Sequence, residues 1–209
     1  ITTSLDLQMQ RAADQAVSQN LPSGQHLPAA SLVAIDNKTG QVRAMVGGPV
    51  VGGQEDYTHF PFNIATEGHR QPGSAFKPFT LVEALQSGKY GPDSIVNSAP
   101  QDFVVPNSAG KEHFIVHNFG NSYSGPISLS QATAISDNAV FSQVGITTGP
   151  SRIARLAQRM GIRSPVSHNY AMILGGLRVG VTPLDLAHAY ETFATGGNRV
   201  VDPVLGAPR

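Results

Sequence analysis

Ser74 and Lys77 are the residues whose types and spacing could do covalent chemistry in this chain. Three positions apart, they would share one face of a helix. A serine hydroxyl is a poor nucleophile until a base lies within hydrogen-bond reach, and a lysine amine serves as that base once burial or a second cation lowers its pKa. Phe76, Phe79 and Leu81 could supply the apolar wall. First-turn amides at a helix N-terminus would also help to stabilise an oxyanion formed at Ser74. The pattern alone is weak. Ser108-Ala-Gly-Lys111 repeats it in a turn-like stretch where nothing would hold the lysine against the serine. The plainer reading of Ser74 is a helix start with Lys77 solvated.

The elements that must position these residues follow from local chemistry. Pro72-Gly73 stops a loop, Ser74 reads as a helix cap, and the helix runs to Gly88. Before it, Asp6 or Ser4 caps a helix over 7–19, with Met9, Ala13, Ala16 and Val17 toward its apolar side. Two β-prone runs, 31–36 and 41–46, flank a loop with Asn37 and Gly40 and predict an antiparallel hairpin. An irregular loop over 49–71 delivers the chain to Ser74. After the helix, 88–126 is rich in Gly, Pro, Asn and Ser, with one β-like patch at 113–117. Ser128 or Ser130 starts a helix that Ser136-Asp137-Asn138 interrupts, since these residues favour caps over helix interiors. Asp137 reads as a turn or cap rather than an acid. Ser151 caps a helix to Met160 with Ile153, Leu156, Ala157 and Met160 inward and Arg152, Arg155 and Arg159 outward, and Pro183 opens a last helix over 183–194.

Composition bounds the function. The 209 residues suffice for one domain with a real core. Fourteen basic and fourteen acidic residues cancel, which argues against a nucleic-acid or anionic-membrane surface. With no Cys, disulfides and thiolate metal sites are excluded. No apolar run is long enough for a membrane helix, and there is neither an initial Met nor a signal peptide. His113 and His117 could share one side of a strand, but no His-Glu-x-x-His pattern accompanies them, so no metal site is expected.

Arg-Gln-Pro-Gly-Ser74-Ala-Phe-Lys77-Pro-Phe resembles the active-site block of class A penicillin-binding proteins. Ser136-Asp137-Asn138 is similar to that family's Ser-x-Asn element; Ser18-Gln-Asn20 and Ser167-His-Asn169 also fit, but only Ser136 sits at a helix break about sixty residues after the nucleophile. Residues 35–48 and 180–197 look like the family's first hairpin and late helix, and residues 1–6 like its lead-in from an upstream glycosyltransferase domain. The resemblance implies a mixed α/β (α+β) fold: an antiparallel sheet packed by helices, plus an all-helical lobe. It implies Ser74 as the acylated nucleophile, Lys77 as its base, Ser136 as proton relay and Asn138 as a substrate-binding amide. The implied activity is peptidoglycan D,D-transpeptidation, with stem peptides and β-lactams as partners and neither metal nor cofactor. The implied place is the outer face of a bacterial cytoplasmic membrane.

The family's third motif, Lys-Thr-Gly after Ser-x-Asn, has no counterpart: Lys38-Thr39-Gly40 lies in the first hairpin loop, ahead of the nucleophile. Residues 1–209 therefore read as the N-terminal two thirds of the transpeptidase domain, with later strands missing and a sheet edge exposed. Two rivals remain. A serine β-lactamase of class A would need a deacylating Glu, and none lies between Glu112 and Glu191. A non-catalytic β-lactam-sensing or peptidoglycan-binding module would use the same fold.

Overall fold

The computed structural model describes residues 2–21, 30–51, 54–107 and 109–200; the second Ser-x-x-Lys copy at Ser108 falls outside them. In chain order the elements are α1 (Leu7–Asn20), β1 (Leu32–Asp36), β2 (Gln41–Val46), β3 (Val50–Val51), β4 (Gln54–Glu55), α2 (Ile64–Glu67) and α3 (Lys77–Gln86). There follow β5 (Ile95–Ser98), β6 (Gln101–Asn107), β7 (Gly110–Val116), β8 (Gly125–Ser128), α4 (Leu129–Ala134), α5 (Asn138–Thr148), α6 (Pro150–Met160) and α7 (Pro183–Ala194). The fold is mixed α/β, and every pairing among the named strands is antiparallel, in four two-stranded ribbons: β1–β2, β3–β4, β5–β8 and β6–β7.

The chain divides into two compact units. The first comprises the described parts of Ile1–Arg70, Gln158–Pro165 and Val179–Arg209. Asp6 caps α1 by accepting from the Gln8 and Met9 amides. The expected hairpin forms, with an irregularity between Ala34 and Ile35 and Gly40 at φ 71° in its turn. Ala13 and Val17 of α1 pack on Ala44 and Val46 of β2. Met9 and Ala16, expected inward, are exposed. The Gln10 carboxamide faces the strand in their stead: it donates to Met45 O and accepts from Met45 N, both at 2.9 Å. The stretch expected to be an irregular loop holds β3, β4 and α2, the last capped by Asn63. Pro183 opens α7 as expected, with Thr182 as its cap.

The second unit comprises the described parts of Gln71–Ala157 and Val166–Arg178. Its core joins Ala84 of α3 to Leu129 and Ala132 of α4 and to Val140 and Val144 of α5, with Leu81, Tyr90, Val96 and Ile127 around them. Ser128 and Gln131 form a reciprocal capping box that starts α4. The patch at 113–117 proves to be mostly one arm of the β6–β7 hairpin. Helix α6 begins at Pro150 rather than after a Ser151 cap, since proline suits the first turn of a helix. Its expected inner face is buried, along with Ala154.

Candidate active site

Ser74 does not cap an α-helix. Residues Gly73–Phe76 form a 3-10 turn with no side-chain cap, and α3 begins at Lys77. Side chains three apart eclipse in 3-10 geometry, and the Lys77 amide closes the turn on Ser74 O. Ser74 is exposed to approaching ligands, whereas Lys77 is only 3% exposed. Phe76 and Phe79 are fully buried, with ring centroids 4.9 Å apart. They are buried, as an apolar wall would require; Leu81 is part-buried in the neighbouring core.

The segment 171–177 fixes this turn from outside. The Gln71 carboxamide donates to Leu177 O and accepts from Leu177 N, each at 2.6 Å. Gly175, at φ 83°, lies so close that a Cβ there would sit 2.0 Å from Gly73 O. Thr80 Oγ1 donates to Ile173 O at 3.1 Å.

Ser136, Asp137 and Asn138 occupy the break between α4 and α5. Ser136 sits at φ 56°, a left-handed conformation that costs a non-glycine residue about 1–2 kcal/mol. It thereby turns two oxygens toward one cation. Lys77 Nζ donates to Ser136 O at 2.5 Å, to Ser136 Oγ at 3.0 Å and to Asn138 Oδ1 at 2.6 Å. Asn138 Nδ2 donates to His117 O at 2.9 Å, which orients the amide oxygen toward the lysine. Asp137 is the cap the sequence suggested: its buried carboxylate accepts from Val140 N, Ser98 Oγ and Asn118 Nδ2.

An ammonium has three protons, and these three acceptors match them. Of the three, only the Ser136 hydroxyl can turn and donate; a carbonyl and the fixed amide oxygen cannot. Ser136 Oγ is thus the one group of the three able both to accept from Lys77 and to donate to it. No hydrogen bond joins Lys77 to Ser74 Oγ among the described residues. Burial pushes the Lys77 ammonium down from 10.5 to about 8, against the opposing pull of Asp137. That change raises the neutral fraction at pH 7 by about 300-fold. The Phe141 ring, which sequence reading did not single out, lies 5.4 Å from Nζ.

The competing patterns are otherwise engaged. Ser18 lies on α1 and donates to Gln15 O. Ser167 donates to Asn169 Oδ1, and Asn169 Nδ2 ties down Gly176 O. Lys38-Thr39-Gly40 forms the β1–β2 turn. His113 pairs with Asp102 at 2.8 Å, while His117 lies beyond β7 with Nδ1 3.1 Å from Tyr123 OH.

The chain is also similar to known proteins. Residues 30–206 match the family described as the penicillin binding protein transpeptidase domain. Penicillin-binding protein 1A of Neisseria meningitidis (strain Z2491) is 37% identical over 178 residues, 84% of this chain and 21% of that protein. Penicillin-binding protein 2D of Bacillus subtilis is 30% identical over 201 residues, 96% of this chain and 27% of that protein. Among solved structures, PonA1 of Mycobacterium tuberculosis in complex with penicillin V superposes with a TM-score of 0.72 at 28% identity, covering 94% of this chain and 51% of that one. The chain thus spans about a quarter of the length of these curated relatives. It belongs to the penicillin-binding protein transpeptidase family.

Proposed function

We propose that the chain carries the acyl-transfer site of a peptidoglycan D,D-transpeptidase, with Ser74 as nucleophile, Lys77 as base, Ser136 as relay and Asn138 as the amide that holds the substrate backbone. The observation that carries this reading is the buried Lys77, held by both Ser136 oxygens and Asn138 one 3-10 turn from an exposed serine. Neutral Lys77 takes the Ser74 hydroxyl proton as Oγ attacks the penultimate D-Ala carbonyl of a stem peptide. The D-Ala–D-Ala amide bond breaks, and the departing amine receives its proton from Lys77 through Ser136. An amine of a neighbouring strand then attacks the ester; its proton returns to Ser74 Oγ as the new amide forms. In a β-lactam the broken C–N bond lies in a ring, so nothing leaves and the whole drug stays on Ser74. The resemblance to class A relatives supports a longer bifunctional protein that works on the outer face of a bacterial cytoplasmic membrane.

The test is the intact mass of the chain after incubation with benzylpenicillin, beside a Ser74→Ala control. The expected result is one added drug mass, absent from the control. A folded chain that stays unmodified here and in a version extended through a downstream Lys-Thr-Gly strand would defeat the catalytic reading in favour of a binding module.

A further inference from the structure

The end of β7 meets the Ser136–Asn138 turn through two consecutive residues. His117 offers its carbonyl to Asn138. Asn118 does more. Its Nδ2 lies 2.7 Å from Asp137 Oδ2 and 2.9 Å from Ser122 O, and its Oδ1 accepts the Ala139 amide at 2.9 Å. Residues 117–118 therefore grip 137, 138 and 139 in succession. The Asp137 carboxylate is held from a further side by Ser98, which is 1% exposed and donates at 2.5 Å. A left-handed non-glycine residue persists only where its surroundings over-determine it. For Ser136 those surroundings are the α4 C-terminal turn itself, where Ser136 N donates to Thr133 O at 3.1 Å and Asp137 N to Ala132 O at 2.9 Å, together with these bonds on the three residues after it.

We propose that Asn118 is a positioning residue for the base: by bridging Asp137 and the first amide turn of α5, it holds Ser136 in the left-handed turn that presents both its oxygens to Lys77. The assignment rests on Lys77 acting as the base. Asn118 also shares the Asp137 carboxylate, the charge that acts on Lys77. Of the other elements around α3, α4 and α5 carry no ionisable side chain, and the 3-10 turn Tyr170–Leu174 carries Tyr170. On α3 itself, Glu83 is paired with Arg152 at 2.8 Å. Loss of the Asn118 amide frees Asp137 to pull harder on Lys77 and lets water reach the turn. Both changes raise the lysine midpoint.

The experiment follows two readouts in the full chain and in Asn118→Ala and Asn118→Asp. Asn118→Asp keeps an acceptor for Ala139 N but turns an oxygen to Asp137. The first readout is the benzylpenicillin acylation rate from pH 6 to 10; the second is the titration of Lys77 by NMR with labelled lysine side chains, assigned with Lys77→Arg. In the parent chain both midpoints are expected near pH 8. In the variants both rise by about one unit or more, so acylation at pH 7 falls about tenfold and recovers toward pH 10. A purely structural role would lower the rate equally at every pH. Folded variants that keep the parent's Lys77 midpoint overturn the proposal. A parent acylation rate that ignores pH overturns the base reading and the assignment that rests on it; a Lys77 titration that still moves in the variants then shows only that Asn118 sets the surroundings of Lys77.

Discussion

Gly175→Ala isolates the cost of misplacing Ser74, the proposed nucleophile. Gly175 has φ 83°, and a Cβ there would meet Gly73 O at 2.0 Å and Gly73 C and N at 2.6 Å. Ordinary contact begins at about 3.4 Å, so the Gly73–Ser74 backbone must retreat by about 1.4 Å or the 171–177 segment must lift. A displacement of about 1 Å at a reacting group costs on the order of 100-fold in rate. The left-handed alanine adds about 1–2 kcal/mol of instability. Gly88→Ala is the matched control: φ is 70°, with nothing within 4 Å of its Cβ. Benzylpenicillin acylation followed by intact mass, with thermal melts alongside, separates the two effects. Both variants are expected to melt a few degrees lower, at about 2–4 °C per kcal/mol for a chain of this size. Only Gly175→Ala is expected to lose acylation, by about 100-fold. If both acylate at the parent's rate, the contact at Gly73 does not position Ser74 and the reasoning fails.

Two further outcomes follow from buried polar groups. Lys77 has a folded-state pKa depressed from 10.5 to about 8, so between these values the unfolded chain binds more protons than the folded one and stability rises with pH. The rise amounts to at most about 3 kcal/mol; urea midpoints from pH 7 to 10.5 should show it, and Lys77→Met should flatten it. In the first unit, the buried Asp185 carboxylate accepts from Ser164 N at 2.7 Å and Ser164 Oγ at 2.5 Å. Asp185→Ala strands both donors, so a loss of about 2–3 kcal/mol is expected in urea unfolding. Acylation by the fraction that remains folded should be unchanged.

The parts of the site legible in the sequence were those set by neighbours along the chain. Thr182-Pro183 announces a helix start, and Asp137 is suited to capping rather than to a helix interior, so α7 and the α4–α5 break appear where local chemistry puts them. Asn63 carries a similar signal for α2, which a Gly- and aromatic-rich context obscured. Ser74 misled because serine caps helices often, while Pro72 and Gly73 at φ 54° wind the chain into a 3-10 turn before the α-helix begins. What could not be read were meetings between distant segments. The β5–β8 ribbon joins stretches about thirty residues apart. Asn118 looks like any loop asparagine until β7 brings it against Asp137. The depth of Lys77 depends likewise on α5 laying Phe141 beside it.

The two-way amide clamp from Gln71 to Leu177 closes a separation of 106 residues. A ribosome adding about 5–20 residues per second therefore releases the Ser74 turn and α3 well before their clamp. During that interval the chain has its serine and lysine without the partner that sets their turn. Completion of the Ser74 turn is in this sense a late event in the chain's biogenesis, governed by the arrival of residues 171–177 rather than by the helix that follows it.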